Sequence, residues 1–156
     1  MTSGKASEKS ASIRGRGRPK TRSDDAERQR IVHSARDLFL DVGYGGTTMD
    51  AVAARCGVSK RTLYQLFPAK TDLFRVMVAD HRRSMLALPR PGGEALPLLE
   101  TLAAIFRLDI DDIDNRDRLA FIRLVLADSD RFSEIGEMIE QEGAEPARRL
   151  LEDWLV

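Results

Sequence analysis

The stretch from Met49 to Phe67, MDAVAARCGVSKRTLYQLF, constrains this chain more than any other. It fits two short helices joined by a tight turn. Val52, Cys56, Val58, Leu63 and Leu66 are apolar at spacings that pin such a pair together, and Ala53 is small where the helices approach. Gly57 can take the positive φ that ends the first helix. Ser59 can cap the second by accepting a hydrogen bond from a free backbone N–H. The second helix then turns Lys60, Arg61, Thr62, Tyr64 and Gln65 outward. A short helix rich in donors, braced by another behind it, is shaped to enter a DNA major groove.

The net charge of zero conflicts with that reading until it is partitioned. Residues 1–23 carry a net charge of +6, residues 24–75 of +1 and residues 76–156 of −7. Nucleic acid is therefore expected at one end only. The single cysteine rules out an intrachain disulfide and fits a reducing cytoplasm. No apolar run approaches the roughly 20 residues that span a membrane. The N-terminus carries no apolar segment of the signal-peptide kind.

Residues 1–22 are Ser, Gly, Lys and Arg with almost nothing to bury, which predicts a disordered basic arm. Within it, Gly15-Arg16-Gly17-Arg18-Pro19-Lys20 is similar to the core of an AT-hook. Arg16 and Arg18, spaced by glycine, can lie in a narrow minor groove; a solvated tail is the plainer alternative. A first helix is expected over Asp24–Val42, capped by Ser23 or Asp24. Its apolar stripe is Ile31, Ala35, Leu38, Phe39 and Val42, and Gly43 stops it. Thr47 with Asp50 resembles a capping box. The Thr48 hydroxyl and the first free N–H groups would face outward toward a phosphate. Pro68 ends the third helix, and a fourth is expected from Lys70 to Leu88. A lysine in a first turn opposes the helix dipole, which a DNA phosphate at the same place would remedy.

The run Ile31–Met77 resembles the DNA-binding domain of the TetR family of bacterial transcription regulators. The residues that carry the resemblance are Leu38-Phe39, the glycine stop, the double threonine, Gly57-Val58-Ser59, Thr62-Leu63-Tyr64, Phe67, and Lys70 after a proline. The resemblance implies a homodimer that places two third helices in successive major grooves of double-stranded DNA. It implies phosphate contacts from Thr48, Tyr64 and Lys70, with Ser59, Lys60, Arg61, Thr62 and Gln65 at or near the base edges. Side-chain chemistry agrees: Arg can bond guanine bidentately, and Gln adenine. Leu66 stands where the family often has a histidine, so it is expected to pack rather than touch DNA. Ala69 replaces the usual polar cap, at a cost to the fourth helix of about 1 kcal/mol.

Beyond Pro89, Pro91, Gly92 and Gly93, apolar residues recur at helical spacing over 95–108, 116–127, 131–142 and from Pro146 onward. No segment alternates with period two. The expected fold is all-α: a basic arm (1–22), a three-helix reading domain with a helix-turn-helix (23–69), and a helical regulatory domain (70–156). The resemblance makes that last part the site of effector binding and dimerisation. Phe106, Phe121, Phe132, Met138 and Trp154 are candidates for the wall of an effector pocket, with core packing as the alternative. The pattern is still apolar at Val156, so the chain is expected to be C-terminally short for the family and its dimer contacts incomplete.

The acidic run Asp109–Asp117 lacks the turn glycine and closing glutamate of a calcium loop and is expected to be a solvated interhelical loop. His33 and His81 are isolated in sequence, and Cys56 sits at a core position; no metal, cofactor or nucleophile–base pair is indicated. The function expected is a sequence-specific, ligand-responsive DNA-binding regulator in the cytoplasm, with a small-molecule effector and a pseudo-palindromic operator. The alternative is a non-specific architectural DNA binder driven by the Arg/Gly arm.

Overall fold

The computed structural model describes residues 21–90 and 96–156. The arm with Arg16 and Arg18, and the Pro91–Gly93 break, lie outside them. Among the described residues there is no strand. Eight α-helices and one π-helical turn follow in order: α1 Thr21–Gly46, α2 Met49–Cys56, α3 Lys60–Leu66, α4 Lys70–Met85, α5 Leu98–Ile105, α6 Asp112–Ser129, α7 Ser133–Met138, the π turn Ile139–Ala144, and α8 Glu145–Leu155.

α1 begins ahead of the expected cap at Ser23 or Asp24. Its helical path breaks at Gly43 (φ 76°, ψ 172°), the position read as the stop. The stripe it buries is Ile31, Val32, Ala35 and Phe39; Val42, expected inside, is 50% exposed. One buried cluster joins α1, α2, Leu63 and Phe67 to Leu73, Phe74, Met77 and Val78 of α4, and onward to Phe121, Leu124, Ile135 and Met138. Fully burying a side chain of this size contributes about 1.5–3 kcal/mol. The centre of the cluster is aromatic. Phe74 lies 5.3 Å from Phe39, 5.0 Å from Tyr44 and 5.8 Å from Phe121, ring centre to ring centre. α4 is therefore a shared wall between the reading helices and the rest of the chain.

Four sequence expectations from α4 onward are corrected. The acidic run is mostly helical: Asp111 caps α6, its carboxylate accepting from the N–H groups of Ile113 and Asp114 at 2.9 and 2.8 Å. Asp112 and Asp114 then fall in the first turn, where the helix dipole favours them. On α6, Leu119 and Leu126 are exposed while Phe121 and Leu124 face inward. α4 ends at Met85 rather than Leu88. The helix expected over 131–142 continues as the π turn into α8, so residues 133–155 run on without a break.

Candidate nucleic-acid interface

The turn between α2 and α3 is fixed at every backbone end. Gly57 is left-handed (φ 64°, ψ 30°), as a chain reversal here requires. The Val58 N–H reaches the Ala53 carbonyl (3.1 Å) and the Gly57 N–H that of Ala54 (3.2 Å), which closes α2 with paired C-terminal bonds. Ser59 Oγ accepts from the Thr62 N–H at 3.0 Å and caps α3. Val58 and Leu66 are half-buried against the core, and Leu63 is fully buried. Leu66 thus packs, as expected from the absence of a polar residue there.

Two arginines of α1 complete the unit. Arg30 donates to the Cys56 carbonyl at 2.8 Å, and Arg28 donates to the Leu66 carbonyl. Each satisfies the last carbonyl of a reading helix with a cation, the favourable sign for a helix C-terminus. Sequence inspection missed both, because they lie 26 and 38 residues away. The Cys56 Sγ sits 3.8 Å from the Ile31 carbonyl, and burial raises the thiol pKa, as suits a packed cysteine.

Arg61, Tyr64 and Gln65 project from the outer face of α3, and Tyr64 is 47% exposed. Thr62 is half-buried, its hydroxyl 2.8 Å from Ser59 Oγ. Lys60 is exposed but ion-paired with Asp50 at 2.7 Å, a bond that raises its pKa. Among the described residues, Arg61 is the unpaired cation of this helix.

The double threonine divides its labour differently from the expected capping box. Thr48 caps α2: its Oγ1 accepts from the Ala51 N–H at 3.1 Å. Thr47 is 1% exposed and donates to the Gly43 carbonyl at 2.8 Å. Asp50, taken by Lys60, makes no return bond. The Thr48 hydroxyl is exposed, and as an acceptor in the cap it keeps its own proton to donate.

Lys70 is turned inward. Its Nζ donates to the Tyr44 carbonyl at 2.7 Å and lies 4.1 Å from the centre of the Tyr44 ring. Burial lowers its pKa, opposed by Glu134 and Asp128. The dipole cost of a lysine at the head of α4 is thus offset by a carbonyl and a ring. Tyr44 is held from the other side too, since its N–H donates to the buried Asp128 carboxylate at 2.6 Å. Its phenol, buried and near Glu134, has its pKa pushed up to about 12. Phe132 packs on the Tyr44 ring (5.3 Å), and a Cβ at Gly45 would lie 2.6 Å from the Phe132 ring. The end of α6 is therefore bolted to the turn that leads into Thr48.

A second feature lies at the far end of α4. A cavity of about 560 Å³ opens between α4, α6, the end of α5, the π turn and α8. Phe106 and Phe121 line it, with Val78, His81, Val125 and Ile139. The other three predicted wall residues lie elsewhere. Phe132 packs on Tyr44, Met138 is fully buried in the core, and Trp154 on α8 is half-buried away from the lining. Helical spacing marked all five as inward-facing but could not tell core from cavity.

Comparison with known proteins agrees with the geometry. Residues 31–77 match the family described as "Bacterial regulatory proteins, tetR family". The chain is similar to the HTH-type transcriptional activator FasR of Mycolicibacterium smegmatis, 39% identical over 57 residues, which is 36% of this chain and 26% of that one. It is also similar to the HTH-type transcriptional regulator UidR of Escherichia coli K12, 29% identical over 73 residues, 47% of this chain and 37% of that one. These matches span well under half of either relative. Among solved structures, the Flavonoid-responsive Regulator FrrA is 30% identical with a TM-score of 0.61, covering 84% of this chain and 67% of that one. Salmonella enterica GusR shares the fold, with a TM-score of 0.56 at 24% identity and coverage of 75% and 60%. No described helix is long and apolar enough to cross a membrane. The chain belongs to the TetR family of bacterial transcription regulators.

Proposed function

We propose that the chain is a ligand-responsive repressor that binds a pseudo-palindromic operator as a homodimer, in the cytoplasm and on the nucleoid. The observation that carries this reading is the exposed face of Arg61, Tyr64 and Gln65 on a helix whose ends are all fixed, flanked by the Thr48 hydroxyl. Arg61 and Gln65 read base edges, with Thr62 and Ser59 at the helix start, and Lys60 joins them when it leaves Asp50. Thr48 and Tyr64 hold phosphates. Lys70 acts at one remove by holding the Tyr44 carbonyl. Arg16 and Arg18 add contacts in the adjacent minor groove. Two copies would set their reading helices about 34 Å apart, one turn of the duplex.

The cavity takes a small-molecule effector. FrrA is described as flavonoid-responsive, which supports an aromatic effector here. A ligand against Phe121 displaces α6, and Asp128 at the end of α6 passes that shift to Tyr44 and α2. The functional division is arm 1–22, reading domain 23–69 and regulatory domain 70–156. The test is the salt dependence of operator binding. Tyr64→Phe should weaken binding to all sequences and, because a neutral phenol displaces no counterion, leave the slope of log K against log salt unaltered, whereas Arg61→Ala should alter sequence preference. Unchanged binding in both would overturn the assignment of this face.

A further inference from the structure

His81 is the polar exception in the wall of the cavity. It is 8% exposed, and neither Nδ1 nor Nε2 has a hydrogen-bond partner. Buried polar atoms are normally satisfied, and leaving two orphaned costs folding free energy. Packing does not account for a histidine here. Its ring lies 4.7 Å from that of Phe121, a contact another Phe would make without that cost. The surroundings set the ring's charge. Burial first, then Arg36 and Arg118, push its pKa down to about 4, so at neutral pH one nitrogen carries a hydrogen and the other a lone pair.

The rest of the wall narrows the choice of ligand. No carboxylate side chain lines the cavity among the described residues, so an amine would find no counter-ion. Arg82, also in the wall, is held by its Nε on the Glu142 carbonyl at 3.1 Å; it keeps its charge, so titration with a carboxylate measures whether it captures an anion. The burial that disfavours an imidazolium penalises a carboxylate as well. A hydroxyl can donate and accept, so it pairs with the imidazole in either tautomer. The volume of about 560 Å³ falls within the range of small-molecule sites.

We propose that the cavity takes an uncharged, mostly hydrocarbon molecule bearing a hydroxyl, and that His81 is the residue that recognises the hydroxyl. The ring edge forms part of the wall, and a turn about Cβ–Cγ presents one nitrogen to the bound molecule. The proposal rests on the reading of the cavity as an effector site and names the chemistry that site selects. The test is calorimetric titration of the full chain at neutral pH with 4-phenylphenol, biphenyl and biphenyl-4-carboxylate. 4-Phenylphenol should bind about tenfold tighter than the other two, and His81→Phe should remove that gap by weakening the phenol alone. The comparison among ligands on the unaltered chain needs no variant, and a thermal melt checks that His81→Phe folds. Equal binding of phenol and biphenyl, tightest binding of the carboxylate, or a gap that survives His81→Phe overturns the proposal and leaves the effector reading standing. Binding of none of the three overturns both.

Discussion

The two ends of α4 are built on different principles. At the reading end, α2 and α3 are closed by Gly57, Ser59, Thr48, Arg30 and Arg28, each with a named bond. At the cavity end the neighbours are weakly held: Leu98, Leu99 and Leu108 of the α5 region are 66%, 80% and 72% exposed, and the His81 ring nitrogens have no hydrogen-bond partner. A unit that must present side chains to fixed base edges gains from being over-determined. A unit that must accept a ligand gains from unsatisfied groups and room to move. Between them stands the aromatic series Tyr44, Phe74, Phe121 and His81, which touches both ends.

If that series is the common support, Phe74→Ala is the substitution that damages both ends at once. It should cost about 3–5 kcal/mol and unfold the chain in a single transition. Chemical denaturation followed by tyrosine and tryptophan signals separately checks this, since two separated transitions would mean that the ends are independent. Asp128→Ala is the next largest. It removes the acceptor of the buried Tyr44 N–H and should cost about 1–3 kcal/mol. DNA affinity should fall with it while the cavity still binds ligand. A variant that loses stability but keeps operator release by effector would break the proposed link through α6.

Acid separates the ends in another way. The His81 pKa is depressed to about 4 in the folded chain, against roughly 6.5 when unfolded. Between those values the unfolded state binds the extra proton. Stability is therefore complete above about pH 6.5 and is lost as pH falls toward 4, by at most about 1.4 kcal/mol per pH unit. Melting curves across that range should flatten in His81→Phe, and an unaltered slope would remove His81 from the acid response.

Gly57→Ala confines its effect to the reading end. The left-handed backbone there should cost about 1 kcal/mol in an alanine, with ligand binding unaltered. Asp50→Asn is the smallest change and runs the other way. Both side chains of the pair with Lys60 are exposed and screened by solvent, so the melting temperature should barely move. Freeing Lys60 and removing a carboxylate beside the phosphates should tighten operator binding. Gel-shift titration at two salt concentrations decides whether it does.

The reading helices were legible because their determinants are local. Gly57, Ser59 and the apolar residues around them act within one or two turns. The Thr48 cap was offset by one residue, since both threonines suit a cap and the Gly43 carbonyl, four residues back at the break in α1, claims Thr47. The bonds of Lys70 and Asp128 to Tyr44 were invisible, because they join residues 26 and 84 positions apart. The same limit applies to the cavity. Phe121 and Met138 both repeat at helical spacing, yet one lines the cavity and the other fills the core.

On the proposed function, the face of α3 reads a sequence. Selection of bound duplexes from a random pool by the full chain, in parallel with Arg61→Ala, tests it most directly. One enriched pseudo-palindrome is expected, with half-sites about one helical turn apart, altered at a defined base pair in each half by Arg61→Ala. Enrichment of no sequence, or of the same sequence by both proteins, would contradict it.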